Sequence, residues 1–237
     1  MDNRIAGGDS GIEATVSTKV GIIAEGPIDH ALLPALLERI ARDRASYSWP
    51  IDADDVTEVF AIRKRGHGGV LATVRKLVSV LDSPFFDHAF FVILLDRKTR
   101  AVQGKIRRLL TNRDRFALGV AIEEIEAWWL ADRVNTVAWA GIGQLPQDIR
   151  YAEDSYRAEH DDDPKKTLDE LTRVSERFDR YYGDGNTDMA SEFAEDYWRQ
   201  YAKLNAIRDD CPEGYGRFED VAANRFRTAK NAAGRLF

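Results

Sequence analysis

The chain alternates short apolar runs with longer stretches whose apolar residues recur every three or four positions. Val20-Gly-Ile-Ile-Ala24 is an apolar run of strand length that stops at Glu25-Gly26-Pro27. Beyond it Leu32, Leu33, Leu36, Leu37 and Ile40 fall on one helical face, with Glu38, Arg39, Arg42 and Asp43 opposite. The unit then recurs. Val56 to Ile62 reads as a second strand, followed by the loop Arg63-Lys-Arg-Gly-His-Gly-Gly69 and a helix with Val70, Leu71, Val74, Leu77, Val78 and Leu81 on one face. Phe90-Phe-Val-Ile-Leu-Leu95 reads as a third strand ending at Asp96, and Val102, Ile106, Leu109 and Leu110 mark a third helix. Phe116 to Ile122 reads as a fourth strand ending at Glu123, with a helix from Glu124 to Arg133.

Strands alternating with amphipathic helices predict βαβ units, and so an α/β fold with a mostly parallel sheet flanked by helices. The strands lack polar alternation, as strands buried on both faces do. After residue 145 the pattern turns helical. Asp163 reads as an N-cap and Pro164 as the first residue of a helix carrying Leu168, Leu171 and Val174. Tyr181 to Asn186 reads as a loop, and Met189 to Ile207 as one helix. The expected organisation is a flexible tail over 1–18, an α/β domain over 19–145 and a C-terminal helical extension over 146–237. The acidic run Glu159 to Asp163 reads as a solvated loop.

Composition narrows this picture. Of 237 residues 44% are hydrophobic and 31% charged, enough apolar material for a core. The lone cysteine, Cys211, excludes a disulfide framework and a multi-cysteine zinc site. No apolar stretch approaches the roughly 20 residues of a spanning helix, and residues 1–19 lack a signal peptide's apolar segment. A cytoplasmic protein without a membrane partner is expected. The net charge is −6, so contact with nucleic acid requires a local basic patch.

In a parallel sheet the positions just past the strands gather along one edge, where open α/β sheets bind ligands. That edge receives Glu25, then Arg63, Lys64, Arg65 and His67, then Asp96, then Glu123, Glu124 and Glu126. Carboxylates suit a hard cation, Mg²⁺ or Mn²⁺, and such a cation can act on a phosphodiester. The Arg63–Gly69 loop offers backbone N–H groups and cations to phosphate. Each part also has a plainer reading. Glu25-Gly26 is an ordinary turn, Asp96 a helix cap, the glutamates partners of a helix dipole, and the basic loop a solvated one. Adjacent residues on a helix point apart, so the three glutamates do not all face one site. Trp128-Trp129, Tyr181-Tyr182 and Tyr197-Trp198 read as packing, His30 and His88 as structural, and Cys211 as a lone thiol.

Val20-Gly-Ile-Ile-Ala-Glu25-Gly26-Pro-Ile-Asp29 resembles the first motif of the Toprim domain, a hydrophobic strand followed by Glu-Gly. Phe91-Val-Ile-Leu-Leu-Asp96-Arg97-Lys98 resembles its Asp-x-Asp motif. Ile122-Glu-Glu-Ile-Glu126-Ala-Trp128-Trp-Leu130-Ala-Asp132 and Asp163-Pro-Lys165 resemble segments of Toprim-like proteins found with ATPases or in phage-defence loci. The resemblance covers residues 19–170. It implies a Toprim-like sheet and Mg²⁺- or Mn²⁺-dependent phosphoryl transfer on DNA or RNA, as in topoisomerases, primases and nucleases of the overcoming-lysogenisation-defect type. It makes Glu25 a general acid/base or metal ligand, Asp96 a metal ligand and Glu126 a further ligand, with Glu123 next because it lies nearest its strand. The chain departs from the family at Lys98, where a second Asp is usual. Either Glu123, Glu124 or Glu126 supplies the missing carboxylate, or Lys98 pairs with Asp96 and leaves a phosphate-binding, non-catalytic site. The rival expectation is therefore a Toprim-like scaffold that partners an ATPase. The oligomeric state is left open, a homo-oligomer included.

Overall fold

The computed structural model describes residues 17–60, 66–82, 87–96, 100–122, 124–179, 181–183 and 187–233. Four parallel strands, β1 (Thr18–Ile23), β2 (Ile51–Asp55), β3 (Phe90–Asp96) and β4 (Phe116–Ala121), form one sheet in the order β2-β1-β3-β4. The chain moves from β1 to β2 in one direction and from β2 to β3 in the other. Right-handed crossovers then put α1 (Pro27–Ala45) on one face and α3 (Gly66–Val80) and α4 (Arg100–Leu109) on the opposite face. The strands obey this division residue by residue. Phe90, Val92 and Leu94 join Val20 and Ile22 in the core with α1, whereas Phe91, Ile93 and Leu95 join Ile23 in the core with α3 and α4. The inner strands β1 and β3 are buried on both faces over Val20–Ile23 and Phe90–Leu95, as their unbroken apolar runs predict.

Between the two inner strands a glycine is required. Gly21 pairs with Phe91, and a Cβ on Gly21 would lie 2.4 Å from that ring and 2.6 Å from Val56. The α1 face of β4 carries Ala117, Gly119 and Ala121, a shallow surface onto which α10 (Arg217–Ala233) lowers Phe218; a Cβ on Gly119 would come within 2.7 Å of that ring. Phe226 continues the contact, its ring edge-on to Phe90 at 4.9 Å. The helices beyond residue 146 therefore share the core of the α1 face. These include α7 (Pro164–Arg173), α8 (Thr187–Gln200) and α9 (Leu204–Asp210). Asp163 caps α7 as expected, accepting from the Lys166 N–H at 3.2 Å.

Three expectations from the sequence are corrected. The second strand is Ile51–Asp55, and Val56–Val59 is a short helix, α2. β2 lies at the sheet edge, with Asp52 and Asp54 exposed, so its polar sequence hid it, while the apolar Val56 is buried against the inner strands. The helix expected over 189–207 is two helices. It breaks because Arg39 takes the carbonyls of Trp198 (3.2 Å) and Ala202 (2.9 Å), while the Lys203 N–H donates to Asp132 at 2.6 Å. The acidic run 159–163 is not a solvated loop, since Glu159 and Asp161 are buried. Asp161 accepts from the Tyr156 hydroxyl (2.9 Å), the Thr167 hydroxyl (2.6 Å) and the Asp163 N–H (3.0 Å), and Glu159 accepts from the Gly214 N–H at 2.6 Å. Such bonds are what let a carboxylate be buried.

No helix among the described residues is long and apolar enough to cross a membrane.

If α10 belongs to the core, Phe226→Ala should cost about 3–5 kcal/mol in urea unfolding, the usual range for deleting a buried aromatic ring. Circular dichroism and tryptophan fluorescence should report one shifted transition. A change within about 0.5 kcal/mol, the range of surface substitutions, would place the helix outside the core.

Candidate functional site

The connections from β1 and β3 leave the sheet on opposite faces, and such a reversal is where open α/β sheets have their binding crevice, at the strands' carboxyl ends. Glu25 and Asp96 stand at that point. Glu25 Oε1 accepts from the Asp96 N–H at 3.3 Å, and the Asp96 carbonyl accepts from Gln103 of α4 at 3.2 Å. Gly26, in an extended conformation, caps α1, and Pro27 opens the helix. Asp29, in the first turn, accepts from the Gly26 N–H at 2.9 Å and lies close enough to Glu25, Asp96 and Glu126 to feel their charge. On the other side Gly66 begins α3 with φ 64°, and its N–H donates to the Glu25 carbonyl at 3.3 Å. That positive φ favours glycine.

A second acidic element arrives from beyond β4. Helix α5 (Glu126–Ala131) starts with Glu126, which is 2% exposed. Its Oε1 accepts from the Tyr182 hydroxyl at 2.5 Å and lies 3.9 Å from Lys165 Nζ, while Lys165 is 3.5 Å from Glu124. Its Oε2 is buried and, among the described residues, has no hydrogen-bond partner. Lys165 belongs to the first turn of α7, and the bonds to Asp161 hold the loop that starts this helix.

Crowding governs the protonation of these groups. Burial, then the charge of Glu126, pushes Asp29 up to about 7 despite the bond from Gly26. Burial, then Asp29, Glu25 and Glu126, pushes Asp96 up to about 8. Burial also raises Glu126. Burial opposes the charge on Lys165, but Glu126, Glu124, Asp96 and Asp29 together raise its pKa and keep it an ammonium.

Of the residues singled out in the sequence, the fold brings together Glu25, Asp96, Glu126 and Glu124 around one crevice. His67 is exposed in the first turn of α3. Glu123, Arg63, Lys64, Arg65 and Lys98 lie outside the described residues. Among the described residues no three His, Cys, Asp or Glu side chains stand in an arrangement that would hold a metal ion as they are. Glu25, Asp29 and Glu126 each have one oxygen drawn to a local donor: the Asp96 N–H, the Gly26 N–H and the Tyr182 hydroxyl, respectively.

Asp29, Lys165 and Tyr182 were not read as site residues from the sequence. A signal for Lys165 was present, because a lysine in the first turn of a helix opposes the helix dipole and needs an external partner. Asp29 follows Glu25 by one helical turn. Tyr182 carried no signal. Trp128 and Trp129 are both buried, against Phe218 and Tyr197 respectively, and offer no face to a base. Cys211 is buried, and burial raises its thiol pKa. No family model, curated protein or solved structure matches this chain.

The raised carboxyls set a sign for stability. Asp29 and Asp96 keep protons that the unfolded chain releases near pH 4. The folded state then binds more protons between about pH 4 and 8, so stability falls as pH rises through that window. The melting temperature should drop between about pH 4 and 8, and Asp96→Asn should flatten the slope. A flat wild-type profile would contradict the crowding.

Proposed function

We propose that this edge binds a divalent cation, Mg²⁺ or Mn²⁺, and that the protein is a Toprim-like, metal-dependent nuclease or related phosphoryl-transfer protein acting on nucleic acid. The observation that carries this reading is Glu126, a carboxylate 2% exposed whose Oε2 has no hydrogen-bond partner among the described residues. A buried carboxylate oxygen without a partner is costly. A cation removes that cost, and the carboxylates that the described residues bring here are hard oxygen donors, which suit Mg²⁺ and Mn²⁺. Asp96 and Glu126, with Glu25 and Asp29 beside them, would hold it. A bound cation supplies Lewis acidity toward phosphodiester oxygens.

The protein's own groups carry the remaining roles. Glu25, fixed by the Asp96 N–H, exchanges a proton with the attacking or leaving oxygen. Lys165, kept charged by four carboxylates, pairs with a phosphate oxygen. Helix α4 brings Lys105, Arg107 and Arg108, all exposed, and has no acidic residue. This is the local basic patch that a chain of net charge −6 needs to meet a polyanion. The resemblance of the motifs to Toprim-like proteins of phage-defence loci agrees with this role, in the cytoplasm.

A second reading is favoured by the Lys165 ammonium among the carboxylates, which serves as a built-in counter-charge. On that reading the protein is a non-catalytic Toprim-like module that binds phosphate or docks on an ATPase.

Labelled DNA and RNA should be cut in the presence of Mn²⁺, and Glu25→Ala or Asp96→Ala should abolish cutting. No cleavage by wild type, with no Mn²⁺ uptake in calorimetry, would favour the scaffold. Replacing Lys105 and Arg107 by glutamate should weaken binding of uncleaved polynucleotide regardless of its sequence. The slope of log affinity against log salt should also fall, by about 1 for each phosphate that is no longer neutralised. An unchanged slope would exclude α4 from the interface.

A further inference from the structure

The segment beyond residue 146 contributes two groups to Glu126, and they act on the same oxygen. Tyr182 donates to Oε1 at 2.5 Å, and Lys165 approaches Oε1 at 3.9 Å. Oε2 is left buried and without a hydrogen-bond partner among the described residues. A carboxylate with both oxygens free can turn about its terminal torsion and chelate, whereas one with a saturated oxygen presents the other in a single direction.

We propose, resting on the cation reading above, that Tyr182 is the positioning residue of the metal site. Its hydroxyl occupies Glu126 Oε1 and turns Oε2 toward the cation as a single-oxygen ligand. Groups that orient a ligand from outside the coordination shell act in this way, and removing one weakens metal binding by about 10–100-fold.

Tyr182 is itself held on three sides. Its ring stands edge-on to Trp129 at 6.0 Å. Its N–H donates to Thr172 Oγ1 at 2.8 Å, and the next N–H, of Gly183, donates to Asp169 at 2.7 Å. A Cβ on Gly183 would fall 2.5 Å from that Asp169 oxygen, so a larger residue here would displace the Asp169 carboxyl. Thr172 and Asp169 belong to α7, the helix that presents Lys165 from its first turn. One helix therefore sets the places of both groups that act on Oε1. On this account the C-terminal helical region completes the metal site.

The test is Mn²⁺ calorimetry on wild type, Tyr182→Phe, Tyr182→Ala and Glu126→Gln, with circular dichroism to confirm folding. Tyr182→Phe keeps the ring and its contact with Trp129 but loses the donor. It should bind Mn²⁺ ten-fold or more weakly, Tyr182→Ala should be at least as weak, and Glu126→Gln should lose binding. A merely structural role predicts the opposite, with Tyr182→Phe binding as wild type does while Glu126→Gln fails, and that result would overturn the inference. If Tyr182→Ala does not fold, the phenylalanine variant alone decides. Wild type that takes up no Mn²⁺ would overturn the cation reading itself, and this inference with it.

Discussion

The parallel pairing of β1 with β3, in which Val20 lies beside Phe90 and Ile23 beside Ile93, sets everything at the acidic edge. The pairing brings the ends of the two strands together at the point where the chain reverses its direction across the sheet. Glu25 and Asp96 are therefore neighbours although far apart in sequence, and one accepts the other's N–H. The register depends on a glycine at position 21, since any larger residue would collide with the Phe91 ring. A property of the core thus decides where two carboxylates meet at the surface.

Once two carboxylates are fixed there, the rest of the edge answers their charge. Asp29 and Glu126 add to it, and burial leaves little solvent to screen it. Proton uptake by Asp29 and Asp96 relieves part of the repulsion, and the Lys165 ammonium relieves another part. Lys165 is delivered by a helix whose dipole disfavours it, so the gain from its carboxylate partners must exceed that cost. The buried bonds to Asp161 make the delivery rigid.

Much of this was legible in the sequence. The α/β class followed from the alternation of apolar runs with helical periodicity; Glu25 and Asp96 followed from strand ends in a parallel sheet, as did the group Glu123, Glu124 and Glu126, within which Glu126 was preferred on the motif resemblance. β2 was not legible, because an edge strand with exposed aspartates has no apolar run to betray it. The buried Glu159 and Asp161 were not legible either, because a string of acids looks solvated until its hydrogen-bond donors are known. Tyr182 was read as packing, which its ring does against Trp129. Its hydroxyl's role depends on a partner 56 positions away and leaves no local pattern.

The outer strand β2 has a consequence of its own. Strands at a sheet border can recruit further strands through their unpaired backbone groups, and this is how folded proteins begin to form fibrils. Here the border carries the exposed carboxylates of Asp52 and Asp54, and a second copy approaching side by side would bring the same charges against them. Like charges of this kind on a border strand disfavour stacking of copies through it. Replacing Asp52 and Asp54 by apolar residues would remove that protection and open β2 to pairing between copies.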